Sequence, residues 1–174
     1  MAFANPATIV DQLEIEAGST VADLGAGAGF YTVLLADRVG NEGTVYAIDV
    51  QPELLTKAKT LDATKRTNIE FLQGDLEEEK GTHLAPETVE YALLVNVLFQ
   101  LENKEAALRE AFRILKRGGQ LFVADWTDSF GGLGPPEDHI ISEADARALA
   151  ENIGFAFSGS IDAGDHHWGA LFEK

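Results

Sequence analysis

The feature that most constrains this sequence is a regular alternation of short apolar runs with longer stretches of helical period. Apolar runs without polar alternation are typical of parallel strands buried on both faces, and the helical stretches then act as crossover helices. The predicted strands lie roughly 25 residues apart, at Thr20–Leu24, Thr44–Asp49, Ile69–Gln73, Tyr91–Val95 and Gln120–Asp125. The fold class is therefore α/β, with helices on both faces of a mostly parallel sheet.

The rhythm changes after the fifth predicted strand. Residues 126–136 contain three glycines and two prolines, which predict a long loop. The remaining predicted elements are a helix from about Ser142 to Asn152 and two strands, Phe155–Ile161 and His167–Phe172. A turn at Gly164 joins these strands, so they form a hairpin. No linker or repeat interrupts the pattern, and we predict one domain over residues 1–174.

Composition and charge exclude several functions. With 29 acidic and 13 basic residues the formal net charge is -16, which repels a phosphate backbone, so no nucleic-acid partner is expected. The chain has no cysteine, which excludes disulfides, thiolate metal sites and cysteine nucleophiles. No run of about 18 apolar residues and no signal-peptide pattern is present, so we predict a cytoplasmic protein without a membrane partner. The oligomeric state is not constrained.

A glycine-rich turn follows the first predicted strand. Gly25, Gly27 and Gly29 lie between this strand and a helix that begins near Phe30. Missing side chains there allow backbone N–H groups to approach a ligand closely. Glycines also occur in ordinary tight turns between a strand and a helix. The residues around the loop therefore decide between a ligand-binding loop and a simple turn.

Two acidic residues support a nucleotide-type ligand. Asp49 ends the second predicted strand about 20 residues after the loop, where a carboxylate can accept hydrogen bonds from ribose hydroxyls. Asp75 follows the third predicted strand and provides an acceptor for an adenine amino group. Val50 and Leu76 are available to sandwich the adenine ring. Together these residues predict an adenosine-binding site.

The spacing of the loop disfavours a dinucleotide. A G-x-G-x-x-G motif would place its third glycine at position 30, which is Phe30. Asp23, two residues before the first glycine, has no function in pyrophosphate binding but can order the loop or contact an ammonium group. A zwitterionic sulfonium ligand therefore fits better than a diphosphate.

In these motifs the sequence resembles the class I S-adenosylmethionine-dependent methyltransferases, particularly the small-molecule branch that includes the ubiquinone and menaquinone C-methyltransferases. The matching segments are Val21–Thr32, Val45–Val50, Gly74–Leu76, Asn96–Gln100 and Leu115–Gly119. The resemblance implies S-adenosyl-L-methionine as cofactor. Together with the residue pattern, it predicts the cofactor-binding residues Asp23, Gly25, Ala26, Gly27, Gly29, Tyr31, Asp49, Val50, Asp75, Leu76 and Asn96.

The resemblance also implies a Rossmann-like, seven-stranded sheet of order 3-2-1-4-5-7-6 with the last strand antiparallel. Many relatives carry an inserted lid, which this sequence lacks. The acceptor would then be covered by the N-terminal segment, by the loop 126–136 or by a partner. The predicted activity is methyl transfer to a small molecule. RNA or protein methylation, and a non-catalytic cofactor-binding subunit that activates a partner, are the alternatives.

Candidate catalytic residues lie at the other end of the chain. Ligands of parallel sheets bind outside the carboxyl ends of the strands, and the turn of the terminal hairpin is expected to reach the same edge. Our hypothesis is that His166 or His167 acts as a base or orients the acceptor, with Asp125 or Asp165 fixing the imidazole. The alternatives are a polar hairpin tip and a metal site, but no ligand spacing supports a metal, and we predict none.

Overall fold

The computed structural model describes residues 5–62 and 66–174, which form one sheet of seven strands flanked by helices. The helices are α1 (Pro6–Gln12), α2 (Phe30–Val39), α3 (Pro52–Leu61), α4 (Lys104–Ile114) and α5 (Glu143–Ile153). The strands are β1 (Thr20–Leu24), β2 (Thr44–Asp49), β3 (Ile69–Gln73), β4 (Val89–Val95), β5 (Leu115–Trp126), β6 (Ala156–Ser160) and β7 (His167–Glu173).

The strand order is β3-β2-β1-β4-β5-β7-β6. The first five strands pair in parallel, whereas β7 runs antiparallel to both β5 and β6. This arrangement confirms the predicted class, strand order and terminal hairpin. The carboxyl ends of β1 to β5 consequently meet at one edge of the sheet.

Two cores lie on opposite faces of the sheet, because successive strand residues point to opposite sides. On one side, called here the α1/α2 face, Val21, Leu93 and Phe122 pack with residues of α1 and α2. On the other, the α4/α5 face, Leu94 and Val123 pack with residues of α4 and α5. The face on which a strand-end residue lies therefore decides what it can contact.

Several helices begin at residues whose side chains satisfy free backbone N–H groups. Asn5 caps α1, whose first residue is Pro6, and Asn103 caps α4 by accepting from the amide of Ala106. Ser142 caps α5 in the same way, so this helix begins one residue later than predicted. In the described ranges, no helix is long and apolar enough to cross a membrane.

The fifth strand begins earlier than the sequence predicted. The chain becomes extended at Leu115, directly after α4, so Gly118 and Gly119 lie within β5 and do not close the helix. The register between β4 and β5 shifts near this point, and Gly118 adopts a φ of +74°. A Cβ on Gly119 would lie 2.9 Å from the carbonyl oxygen of Glu90. The two glycines therefore allow an irregular start to the strand.

Candidate functional site

The glycine loop is held against the end of β2 by its backbone. The amides of Gly25 and Ala26 both donate to the carbonyl of Ile48, at 2.8 and 2.9 Å. Gly25 has a φ of +75°, and a Cβ there would lie 2.5 Å from Cγ2 of Val97. A side chain at Gly25 would thus separate the loop from the segment that follows β4.

Gly27 differs from the other glycines of the loop. Its φ is +55°, and a Cβ there would meet no atom within 4 Å, whereas a Cβ on Gly29 would press on Ala58 of α3 at 2.8 Å. Gly25 and Gly29 are therefore needed for packing within the protein. Gly27 instead keeps a surface clear beside an open cleft.

Asp49 connects this loop to the end of β2. Its Oδ2 accepts from the amide of Gly27 at 2.8 Å, and its Oδ1 accepts from the amide of Gln51 at 2.9 Å. The side chain is buried but lines the cleft. A carboxylate can accept about four hydrogen bonds, so two acceptor positions remain for a ligand.

A cleft of about 260 Å³ lies at the carboxyl ends of β1 to β4. Its lining residues are Gly25, Gly27, Asp49, Val50, Gln51, Leu54, Gly74, Asp75, Leu76, Glu77, Val97, Gln100 and Leu101. Six of the residues predicted to bind the cofactor are among them. Val97 and Gln100 belong to a segment that the sequence singled out, whereas no signal pointed to Leu54, Glu77 or Leu101.

Asp23 lies beneath the loop at the end of β1. Its Oδ2 accepts from the hydroxyl of Thr32 at 2.6 Å. Burial raises the pKa of Asp23 to about 6; the hydrogen bond from Thr32 opposes this shift, and the charge of Asp49 adds to it. A buried carboxylate with a raised pKa is stabilised by a nearby positive charge.

Two buried polar atoms next to this region have no hydrogen-bond partner. They are the hydroxyl of Tyr31, in the first turn of α2, and Oδ1 of Asn96, directly after β4. Asn96 has a φ of +58°, and its backbone is fixed because its amide donates to the carbonyl of Ala124 at 2.9 Å. Unsatisfied buried polar groups are rare in native proteins, so a donor and an acceptor here indicate a ligand or ordered water.

The candidate catalytic residues lie on opposite faces of the sheet. His167 stands directly opposite Trp126 in the β5–β7 pair, and Trp126 shares the α1/α2 face with Ala124. Asp125 points to the α4/α5 face, since neighbouring strand residues alternate. The expectation that Asp125 fixes His167 is therefore wrong. Its oxygens instead accept from the amides of Phe99 and Trp126, at 3.1 and 2.9 Å.

The two histidines have different surroundings. Nδ1 of His166 lies 3.0 Å from Oδ2 of Asp128, and its ring stacks on Phe130 with centroids 3.8 Å apart. His166 thereby ties the loop after β5 to the hairpin, through a carboxylate outside the set predicted from the sequence. Trp126 stacks on the buried His167 at 4.3 Å, and neither ring nitrogen of His167 has a partner.

Among the residues that the structure describes, no group of three or more histidine, aspartate or glutamate side chains is arranged to hold a metal ion.

Comparisons with known proteins identify the same type of domain. A family model described as a methyltransferase domain matches residues 15–159. An arsenite methyltransferase of Halobacterium salinarum is 33% identical over 111 residues, which are 62% of this chain and 27% of that protein. A ubiquinone/menaquinone biosynthesis C-methyltransferase of Xanthomonas oryzae is 34% identical over 122 residues, 68% of this chain and 47% of that protein. The chain thus spans between about a quarter and half of these relatives.

The fold is also found in solved structures. A SAM-dependent methyltransferase from Aquifex aeolicus superposes with a TM-score of 0.87 and 27% sequence identity. The match covers 98% of this chain and 89% of that protein. The strand order, the glycine loop and the sequence similarity therefore all identify a methyltransferase domain.

Proposed function

The chain belongs to the class I S-adenosylmethionine-dependent methyltransferase family, and we propose that it transfers the methyl group of S-adenosylmethionine to a small-molecule acceptor. The observation that carries the proposal is the cleft itself. It brings the glycine loop, Asp49 and Asp75 together at one edge of the sheet, as an adenosine-bearing ligand requires.

The residues present fit this cofactor. Gly27 leaves open space beside the cleft, and Asp49 retains acceptor positions for ribose hydroxyls. Val50 and Leu76 are apolar residues of the lining, available to the adenine ring. The buried carboxylate of Asp23 suits an ammonium group.

The unpartnered atoms of Tyr31 and Asn96 provide a hydrogen-bond donor and an acceptor for the remaining polar groups of the ligand. Gly29 and Ala26 act indirectly, because the amide of Gly29 donates to the carbonyl of Ala26 at 2.9 Å and closes the loop.

When bound, S-adenosylmethionine supplies an electrophilic methyl group on a sulfonium. The protein's contribution is to hold the reactants in line, and correct orientation alone accounts for up to about 7 to 11 kcal/mol of a barrier. Asp49 and the loop amides provide this orientation on the cofactor side. On the acceptor side we assign it to His167, which we also propose as the base that takes a proton from the acceptor; its unpartnered nitrogens lie on the α1/α2 face at the carboxyl end of β5.

The proposal of a small acceptor is supported by charge and by the relatives. A net charge of -16 disfavours a nucleic-acid substrate. The named relatives are an arsenite methyltransferase and a methyltransferase of ubiquinone and menaquinone biosynthesis, and both names refer to small molecules.

The test incubates the purified protein with methyl-labelled S-adenosylmethionine and with separate low-molecular-mass, RNA and protein fractions of a cell extract. We expect label in a low-molecular-mass product. Label only in RNA or protein would overturn the choice of acceptor. Cofactor binding without any labelled product would favour the non-catalytic, partner-activating subunit.

Replacing Asp49 with asparagine is expected to weaken cofactor binding. The amide keeps the size of the side chain but has one acceptor oxygen, so it cannot serve both backbone amides and the ribose. The loss of one or two hydrogen bonds to a charged group corresponds to a dissociation constant raised roughly 10- to 100-fold. Isothermal titration calorimetry with S-adenosylhomocysteine measures this change.

Asp37→Asn is the control for this experiment, because Asp37 is an exposed carboxylate that pairs with Arg66 and does not line the cleft. Equal affinities of Asp49→Asn and the wild type would contradict the assignment of Asp49 to the ribose.

A further inference from the structure

The segment that follows β4 forms one wall of the cleft. We call residues 96–101 the post-β4 turn; they comprise Asn96, Val97, a short 3-10 helix at Leu98–Gln100, and Leu101. Val97, Gln100 and Leu101 line the cleft. The position of this turn therefore sets the width of the cofactor site, and Val97 also packs on Gly25 of the opposite wall.

Several contacts fix the turn to the rest of the molecule, among them the hydrogen bond from Nζ of Lys104 to the carbonyl of Leu101 at 2.7 Å. The amide of Asn96 donates to Ala124 on β5, and Leu98 is fully buried in the core of the α4/α5 face. The hydrogen bond from Nε2 of Gln100 to the carbonyl of Asn96 at 2.7 Å is internal to the turn. Asp125 provides a further hydrogen bond to the turn.

Asp125 bridges the carboxyl end of β5 and this turn. Its Oδ2 accepts from the amide of Phe99 at 3.1 Å, and its Oδ1 accepts from the amide of Trp126 at 2.9 Å. The residue is 1% exposed, so both bonds are shielded from bulk water. The first amides of a short helix have no partner within the helix, which is why a carboxylate at this position orders it.

From this geometry we propose that Asp125 is a positioning residue, which holds the post-β4 turn in the conformation that binds S-adenosylmethionine and takes no part in proton transfer. The inference rests on the proposed function of the cleft. It assigns to Asp125 an indirect role in place of the catalytic role that its position at a strand end suggested.

The surroundings of Asp125 agree with this role. Trp168 stands opposite it on β7, and Lys104 of α4 provides a nearby positive charge. Burial raises the pKa of Asp125 to about 6, while the amides of Trp126, Phe99 and Leu98 and the charge of Lys104 oppose the shift. His167, the residue assigned to the acceptor, lies on the opposite face of the sheet.

The first test compares Asp125→Asn with the wild type by calorimetry with S-adenosylhomocysteine. Asparagine has one acceptor oxygen, so one of the two amides loses its partner, and we expect affinity to fall roughly tenfold. Glu110→Gln is the matched control. Glu110 is also buried and holds another segment, through the amide and hydroxyl of Thr82, but it does not line the cleft.

Both variants are expected to lose thermal stability, whereas only Asp125→Asn should lose cofactor affinity. Wild-type affinity in a folded Asp125→Asn variant, or an equal loss in Glu110→Gln, would overturn the inference and leave the proposed function intact. Failure of the wild type itself to bind S-adenosylhomocysteine would overturn the proposed function and this inference with it.

A second measurement needs only the wild type, in case Asp125→Asn does not fold. If the turn and the cofactor stabilise one another, binding must also order the turn, because coupling between two equilibria is reciprocal. We expect S-adenosylhomocysteine to slow hydrogen exchange at the amide of Phe99. An unchanged exchange rate at Phe99 would overturn the inference.

Discussion

A valine in place of Gly27 is expected to weaken cofactor binding by roughly 100-fold or more while the sheet still folds. Gly27 has a φ of +55°, which disfavours a β-branched residue, and the space at its Cβ is open only because no protein atom fills it. A side chain there would occupy the cleft beside Asp49. Steric exclusion of a ligand that has no alternative position gives a dissociation constant raised by roughly 100-fold or more, equivalent to about 2.7 kcal/mol.

The control for this substitution is Gly118→Val. Gly118 also has a positive φ, of +74°, and a Cβ there would meet no atom within 4 Å, but it lies in the irregular start of β5. Both variants should lose similar stability from backbone strain, about 1 to 3 kcal/mol. Calorimetry and thermal denaturation separate the two effects. Normal cofactor binding by Gly27→Val would contradict the position of the cofactor.

The first half of the sheet could be predicted closely from the sequence because its signals are local. β1, β2 and β3 have the bounds that their apolar runs indicated. The glycine loop was also recognisable, since the requirement for positive φ at Gly25, Gly27 and Gly29 leaves few other residues possible. In these segments the residue types alone therefore indicate the backbone conformation.

The cleft was predicted only in part, because its other wall comes from residues distant in sequence. Leu54 and Leu101 are ordinary apolar residues of a helix and a turn, and nothing in their neighbourhood indicates a ligand. Their contribution follows from the packing of α3 and the post-β4 turn around the strand ends. Such contacts depend on how distant segments pack together, and the hydrophobic periodicity of the sequence predicts only the individual helices and strands.

In the candidate catalytic region, the sequence predicted which residues come close to β5 but not the face of the sheet on which each side chain lies. The hairpin and its two histidines were correctly expected near β5, but the face of each side chain depends on register, and a shift of one residue exchanges the faces. Trp126 and not Asp125 stands opposite His167. The pairing of His166 with Asp128 likewise depends on how the loop after β5 folds back on the hairpin.

Replacing His167 with glutamine is expected to reduce methyl transfer much more than cofactor affinity. Burial and the charge of His166 lower the pKa of His167, so its imidazole is neutral at neutral pH and has one nitrogen able to accept a proton. Glutamine keeps hydrogen-bonding capacity but cannot act as a base. A positioned general base contributes about 100- to 10,000-fold, and we expect a rate loss of at least the lower value.

The comparison of His166→Gln and His83→Gln with His167→Gln identifies which histidine acts. His166 already has Asp128 as a partner, so its loss should loosen the loop after β5 and cost about tenfold or less, as expected for hydrogen bonds on the protein surface. His83 lies in the loop before β4, away from the cleft lining, and its replacement should change nothing. The initial rate of label transfer into the low-molecular-mass product, at saturating S-adenosylmethionine, is the measurement. A full rate in His167→Gln would show that the acceptor is oriented by other groups, and that the unpartnered nitrogens of His167 mark only buried solvent.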